Sequence, residues 1–244
     1  MIEKLNPIKN SFIWGNTEEL NVYSVLDKVI DAKDSLSVQV HPTDDVAKRF
    51  GKEKGKSKYW YILQADEDAA LYYGFNKDMT IEEIELSLKD NSICDDINKI
   101  PVKAGDGFWV PAGLVHAILK GVKLLEVQNQ VDLTYRFYDY GRLDASGNAR
   151  ELHIEESLAS SYLKSTPIPK QAEIKKDGQF NYRELVKTGL FNLTEIEGKG
   201  AYTVYAKKTD VYVYDVLKNA HYSIDRSNEL TFNGDIKLVI AEVR

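Results

Sequence analysis

The 244 residues include a single cysteine, Cys94. No internal disulfide can form, a reducing compartment suits the chain, and a small filler role accounts for the residue. Basic charge is also in short supply, with 32 Lys and Arg against 38 Asp and Glu and a formal net charge of -6. That balance has the wrong sign for neutralising a nucleic-acid backbone, so no nucleic-acid partner is expected, whereas a small anionic ligand remains compatible with it. No run approaches the roughly 20 consecutive apolar residues that cross a bilayer. Met1 to Tyr23 carries charged and polar side chains where a secretory leader needs an apolar stretch. The expectation is a cytoplasmic protein with no membrane partner. Internal repeats and low-complexity segments are missing too.

What is present reads as a folded, mainly β chain. Hydrophobic residues make up 43% and charged residues 29%, and the 15 tyrosines fall largely in β-branched runs such as Tyr202 to Tyr205 and Val211 to Val216. Further short strands are predicted at Val22 to Ile30, Leu36 to Val40, Trp60 to Leu63, Ala69 to Tyr73, Gly107 to Val110, Ala117 to Leu119, Leu124 to Gln128 and Thr134 to Tyr138. Such a series of short strands indicates a sandwich, jelly roll or barrel. Three helices interrupt it. Thr43 to Phe50 opens with Thr-Asp-Asp, Thr80 with Glu83 makes a capping box leading to Lys89, and a third is expected from about His153 to Leu163. Pro167, Pro169 and several lysines mark a linker from Ser165 to Asp177. The division expected is a first unit over 1–164 and, over 165–244, a linker and a short β-rich unit.

Chemistry concentrates in two stretches. In Gly105-Asp-Gly-Phe-Trp-Val-Pro111-Ala-Gly113-Leu-Val-His116, glycines and a proline shape a tight turn, and the strand that follows presents His116 on one face. In Leu36-Ser-Val-Gln39-Val-His41-Pro42, Gln39 and His41 stand two residues apart on an apolar strand and leave from the same face. An amide oxygen and two imidazoles can bind one metal together. Arg136 supplies a permanently charged fork suited to anionic oxygens. Tyr135, Phe137, Tyr138, Tyr140, Trp60 and Trp109 read first as strand packing and core, and His153 and His221, outside any motif, as surface residues.

The two stretches resemble cupin motifs, and their wider context is similar to the class I, cupin-type mannose-6-phosphate isomerases. The likeness is carried by Ile30 to Asp45, by Gly55-Lys-Ser-Lys-Tyr-Trp60-Tyr, by Pro111 to Ala117, by Asp132-Leu-Thr-Tyr-Arg136-Phe-Tyr-Asp139-Tyr-Gly-Arg142 and by Arg150-Glu-Leu-His-Ile. Ile13-Trp14-Gly15 resembles a further family element. The resemblance implies a cupin-like jelly-roll barrel with a few short helices and a smaller strand-rich C-terminal unit. It implies interconversion of mannose 6-phosphate and fructose 6-phosphate, with a small-molecule sugar phosphate as partner. It also implies zinc held by Gln39, His41 and His116, and places Arg136, Lys56 and Asp132 in the catalytic site.

Two departures accompany the likeness. The family's fourth zinc ligand is a glutamate in a Lys-Thr-Glu-like run, and here that run is Lys56-Ser57-Lys58. An ammonium has no lone pair to give a metal, so weak or partial zinc occupancy is expected. The chain also goes from Trp14-Gly15 to Gln39 without the several tens of residues usual in the family. An isomerase with an altered ligand set is therefore expected, with two alternatives: a non-catalytic sugar or sugar-phosphate binding protein of the same fold, and a cupin enzyme acting on another sugar.

Overall fold

The computed structural model describes residues 1–143 and 146–243. The chain forms two compact units, one made of 9–17 and 29–170, the other of 1–8, 18–28 and 171–244. The boundary expected after 164 thus falls at 170, and two N-terminal segments join the C-terminal strands instead of the first unit. They do so because strand pairing, which joins residues remote in sequence, decides membership.

The strands are, in chain order, Ile2–Leu5 (β1), Ile8–Phe12 (β2), Gly15–Val22 (β3), Val25–Ala32 (β4), Val38–Val40 (β5), Lys58–Ala65 (β6), Ala70–Phe75 (β7), Ile97–Pro101 (β8), Gly107–Val110 (β9), His116–Ile118 (β10), Val122–Asn129 (β11) and Tyr135–Tyr138 (β12). The C-terminal set is Lys175–Asp177 (β13), Phe180–Lys187 (β14), Phe191–Lys199 (β15), Tyr202–Tyr205 (β16), Asp210–Asp215 (β17), Ala220–Ile224 (β18), Glu229–Phe232 (β19) and Asp235–Val243 (β20). The helices are Asp44–Arg49 (α1), Ile81–Lys89 (α2) and Ile154–Ser160 (α3). The long strand expected over Val22 to Ile30 is two strands, β3 and β4, broken at Tyr23, whose φ of 55° no regular strand accommodates.

In the first unit a five-stranded sheet, ordered β12-β5-β10-β7-β8, faces strands β11, β6 and β9 of a sheet ordered β2-β3-β4-β11-β6-β9, whose residues 18–22 and 25–28 group with the other unit. Their facing sides share one apolar core, in which Leu71 and Ile118 from the first sheet meet Trp60, Ile62, Phe108 and Leu124 from the second. The outer side of the five-stranded sheet carries a second core, where Val38, Val40 and Ala117 pack with Ile84 of α2. Alternate residues of β5 and β10 therefore point into different cores, as the period of two requires. This is the mainly β, cupin-like architecture expected.

In the second unit, seven strands run β1-β18-β17-β20-β15-β14-β13, with β16 paired to β19. His221 on β18 is not at the surface as expected. It is 1% exposed, its Nδ1 lies 2.8 Å from the Tyr212 hydroxyl, and Asp27 is 3.5 Å from it. A histidine in the run Asn-Ala-His-Tyr-Ser offers no local sign of those remote partners. Among the described residues no helix is long and apolar enough to cross a membrane.

Candidate functional site

Strand register builds the site. On the five-stranded sheet Gln39 of β5 stands opposite His116 of β10 on one side and opposite Arg136 of β12 on the other, while His116 also faces Tyr73 of β7. Opposite residues of antiparallel strands project from the same face at Cα separations of about 4.5–5.5 Å, so these four side chains form one row. Val38 and Val40 turn to the outer core, which leaves Gln39 inward. His41, two residues on, brings its ring centroid to 4.8 Å from that of His116.

Two glycines close the loops around this row. Gly113, at φ +89°, donates its N–H to the His41 carbonyl at 2.8 Å and ties the turn before β10 to the end of β5. Gly55 lies so close to the Pro42–Thr43 backbone that a Cβ would come within 2.3 Å of the Pro42 carbonyl oxygen. With no side chain there, the Lys56 N–H reaches that same oxygen at 3.1 Å. The run leading into β6 is thereby held beside His41.

Both imidazoles are buried, His41 at 1% and His116 at 0% exposure. Each fixes its Nδ1 on a backbone carbonyl, His41 on Leu133 at 2.8 Å and His116 on Leu114 at 2.7 Å. A carbonyl only accepts, so Nδ1 carries the proton and Nε2 presents a lone pair. Both Nε2 atoms are buried with no hydrogen-bond partner. Burial, reinforced by the charge of Lys58, pushes both rings well below the ordinary histidine range. Neutral imidazoles whose Nδ1–H is anchored to a carbonyl are the form in which histidine ligates metals.

The remaining wall comes from β6 and β11. Trp60 stands opposite Glu126 in register, and Lys58, two residues before Trp60, shares its face. The Lys58 ammonium is 2.9 Å from Glu126 Oε2, and both side chains are 3% exposed. Trp60 donates its Nε1–H to the same oxygen at 2.7 Å, and the ammonium lies 4.9 Å from the indole centroid. The Trp60 ring meets His116 edge-on at 5.2 Å. Lys58 therefore sits inside, with its charge bearing on both histidines.

These residues fit a divalent cation only in part. The two bare Nε2 atoms and the Gln39 amide suit zinc, but where the resemblance leads one to expect a carboxylate the chain has Lys58, an ammonium paired to Glu126. A +2 and a +1 charge ~4 Å apart repel by roughly 8 kcal/mol at an effective dielectric of about 20. Among the described residues no three His, Cys, Asp or Glu side chains are arranged to hold a metal ion. The set as it stands is not a complete zinc site.

Of the other residues singled out from sequence, Arg136 is in the row, its Nη1 donating to the Glu151 carbonyl at 2.5 Å and its Nε buried without a hydrogen-bond partner. Lys56 is 4% exposed, and its charge also weighs on both imidazoles. Asp132 is exposed in the connection before β12, next to the Leu133 carbonyl that anchors His41. His153 stands at the N-cap position of α3 without a side-chain capping bond; it is half-buried, and its Nδ1 accepts from the Arg136 N–H at 3.3 Å. Sequence reasoning missed the partnership of Glu126 with Lys58 and Trp60. Its signal is the alternation Leu124, Glu126, Gln128 on the inward face of a buried strand, where a lone carboxylate needs a partner.

Two facing sheets, with Gln39 on one strand, His41 just past its end and His116 on the neighbouring strand, define a cupin-type barrel protein. No family model matches the chain. Over 146 residues it is 44% identical to a mannose-6-phosphate isomerase of Streptococcus mutans, covering 60% of this chain and 46% of that one. The crystal structure of a mannose 6-phosphate isomerase from Bacillus subtilis superposes with a TM-score of 0.88 at 20% identity, over 98% of this chain and 99% of that one. A mannose 6-phosphate isomerase structure bound with zinc and yttrium matches with a TM-score of 0.66 at 13% identity, over 91% and 79%. The chain spans about half the length, 46%, of the curated relatives it matches first. Over the matched stretch it is similar to mannose-6-phosphate isomerases.

Proposed function

We propose that the chain binds mannose 6-phosphate and interconverts it with fructose 6-phosphate. The observation that carries this reading is the in-register row Arg136, Gln39 and His116, completed by His41. Aldose–ketose isomerisation moves a proton between C1 and C2 through an enediol, and it needs hydrogen-bond acceptors for hydroxyls, an acid/base group and positive charge for the developing oxyanion. The bare Nε2 atoms of His41 and His116 accept hydroxyl protons. Arg136 offers its buried Nε–H and permanent charge to a phosphate or enediolate oxygen. Lys56 is assigned to proton transfer and Asp132 to orienting the bound sugar. All these residues lie in the part of the chain assigned to the cupin unit, 1–164.

Zinc occupancy is proposed to be low, because three neutral donors facing an ammonium bind a divalent ion less strongly than a set containing a carboxylate. The test is a coupled assay of mannose 6-phosphate conversion by the purified protein. Wild-type turnover should fall by about 10²–10³-fold in Arg136→Ala and in His116→Ala, as when an electrostatic donor is removed from an active site, with circular dichroism unchanged. Sugar-phosphate binding with no turnover in the wild type would leave the chain as a non-catalytic binding protein.

A further inference from the structure

We propose that a small cavity at the ends of β4 and β6 and the start of β11 is a second, non-catalytic binding site, and that its ligand is a phosphate monoester of a hydroxylated compound. The inference is independent of the isomerase reading and uses none of the residues in the Gln39 row.

The cavity has a volume of about 160 Å³ and is lined by Asp31, Lys33, Gln64, Asp66, Lys120 and Lys123 around the turn at Gly121. Three observations carry the proposal. The pairing of β11 with β6 slips there, Lys123 standing opposite Gln64 but Leu124 opposite Ile62, so that Leu63 is bulged. On a regular strand Gln64 would share the inward face of Ile62, two residues before it. Ile62 is in the core, whereas Gln64 is exposed. The bulge has turned the amide outward beside Lys123, the kind of re-aiming that bulges provide. Next, Gly121, at φ +85°, donates its N–H to the Ala32 carbonyl at 2.9 Å and accepts from the Asp66 N–H at 3.0 Å. One residue thus ties the ends of β4 and β6 together, and a Cβ on it would come within 2.9 Å of Asp66 Oδ2. The last observation is charge. Lys33 is paired to Asp31 at 2.9 Å, but among the described residues the ammonium groups of Lys120 and Lys123 meet no carboxylate, although Asp66 lines the same cavity. Two cations stand there without counter-ions in a chain whose net charge is -6.

The donor set selects the ligand. Ammonium groups give charge-assisted hydrogen bonds to phosphoryl oxygens, and with Lys33 already engaged by Asp31 the surplus charge comes from Lys120 and Lys123. A carboxylate only accepts, and an amide both donates and accepts. Asp66 would therefore repel a bare anion, but together with Gln64 it can hold hydroxyl groups carried by the same molecule. The space suffices, since a single water needs only about 10–15 Å³ of such volume. The ligand is bound and released, with no bond made or broken.

An NMR titration of the full chain with glycerol 3-phosphate, inorganic phosphate and glycerol tests this. Glycerol 3-phosphate should shift the amide signals of Asp66, Gly121 and Lys123 to saturation. Inorganic phosphate should move the same signals with weaker affinity, and glycerol should move none. Lys120→Ala combined with Lys123→Ala should weaken glycerol 3-phosphate about tenfold or more, because charge-assisted contacts are lost. Asp66→Ala should weaken glycerol 3-phosphate while leaving inorganic phosphate bound as well or better. All of these side chains lie at the surface, so the fold should survive each change. Arg136→Ala, which disables the proposed isomerase site, should leave the shifts in place, so that the two readings fail separately. Shifts missing at Asp66, Gly121 and Lys123, or retained at full strength in the double lysine variant, overturn the proposal. Inorganic phosphate binding as tightly as glycerol 3-phosphate overturns the assignment of a monoester.

Discussion

Asp139 holds two guanidinium groups at once, accepting from Arg142 Nη2 at 2.5 Å and from Arg150 through Nε and Nη2 at 2.7 and 2.5 Å. Burial by itself would raise its carboxyl pKa, but the hydrogen bonds from Arg150 and Arg142 outweigh it and leave the group below the usual carboxylate range. A carboxyl lowered in the folded state stabilises the fold above the unfolded value of about 3.9 and loses that contribution as pH falls through the lower folded value. Asp139→Asn should therefore cost roughly 2–4 kcal/mol at neutral pH, somewhat less than a fully buried pair because both arginines are partly exposed. The difference from wild type should shrink below about pH 4; urea melts at pH 7 and pH 3 measure both. At this scale the sequence was legible where a residue's role depends on near neighbours. Gln39 and His41 are two apart, and the turn before His116 is local. Lys58 stood out as a departure, but its counter-ion was not legible, because Glu126 meets it only through the pairing of β6 with β11. His221 was misread for the same reason, since Asp27 and Tyr212 come to it from other strands.

Helix α2 carries its stability signal at its first turn. Thr80 accepts from the Glu83 N–H at 3.2 Å while the Glu83 side chain accepts from the Thr80 N–H at 2.7 Å. Ile84 of the same helix is fully buried beneath it. Thr80→Ala should cost about 1 kcal/mol, the usual worth of a cap, while Thr80→Ser should cost almost nothing; thermal unfolding of the two variants separates them. Such elements were legible because a capping box spans four residues. The break between β3 and β4 was not, since in Val22-Tyr-Ser-Val25 only Ser24 favours a turn and neither Gly nor Pro announces a positive φ. The order of strands in each sheet was beyond reach as well, because hydrophobic alternation fixes the face of a strand but not its neighbour.

At the scale of the whole molecule, the second unit is assembled from both ends of the chain. β1 pairs with β18, Ile2 opposite Ile224, and fully buried Asp27 lies against His221. A fragment of residues 165–244 would expose the β18 edge and lack Asp27, so it should show no cooperative unfolding by circular dichroism. The full chain, or the fragment supplied with residues 1–28 in trans, should show one. The outcome that would sink this view is a sharp transition for the fragment alone.

The same pairing sets a timetable for biosynthesis. When Ile2–Leu5 leaves the ribosome, the residues it will bond to are more than two hundred codons away, which at about 5–20 residues per second means on the order of ten to forty seconds of waiting. During that interval β1 is an unpaired edge able to recruit strands from other nascent chains. Its composition limits the hazard: the strand is four residues long, and Glu3 and Lys4 occupy its middle, charges of the kind that discourage edge-to-edge association. Slow synthesis or neutralisation of those two side chains should therefore show first as aggregation on the polysome, before any change in the finished protein.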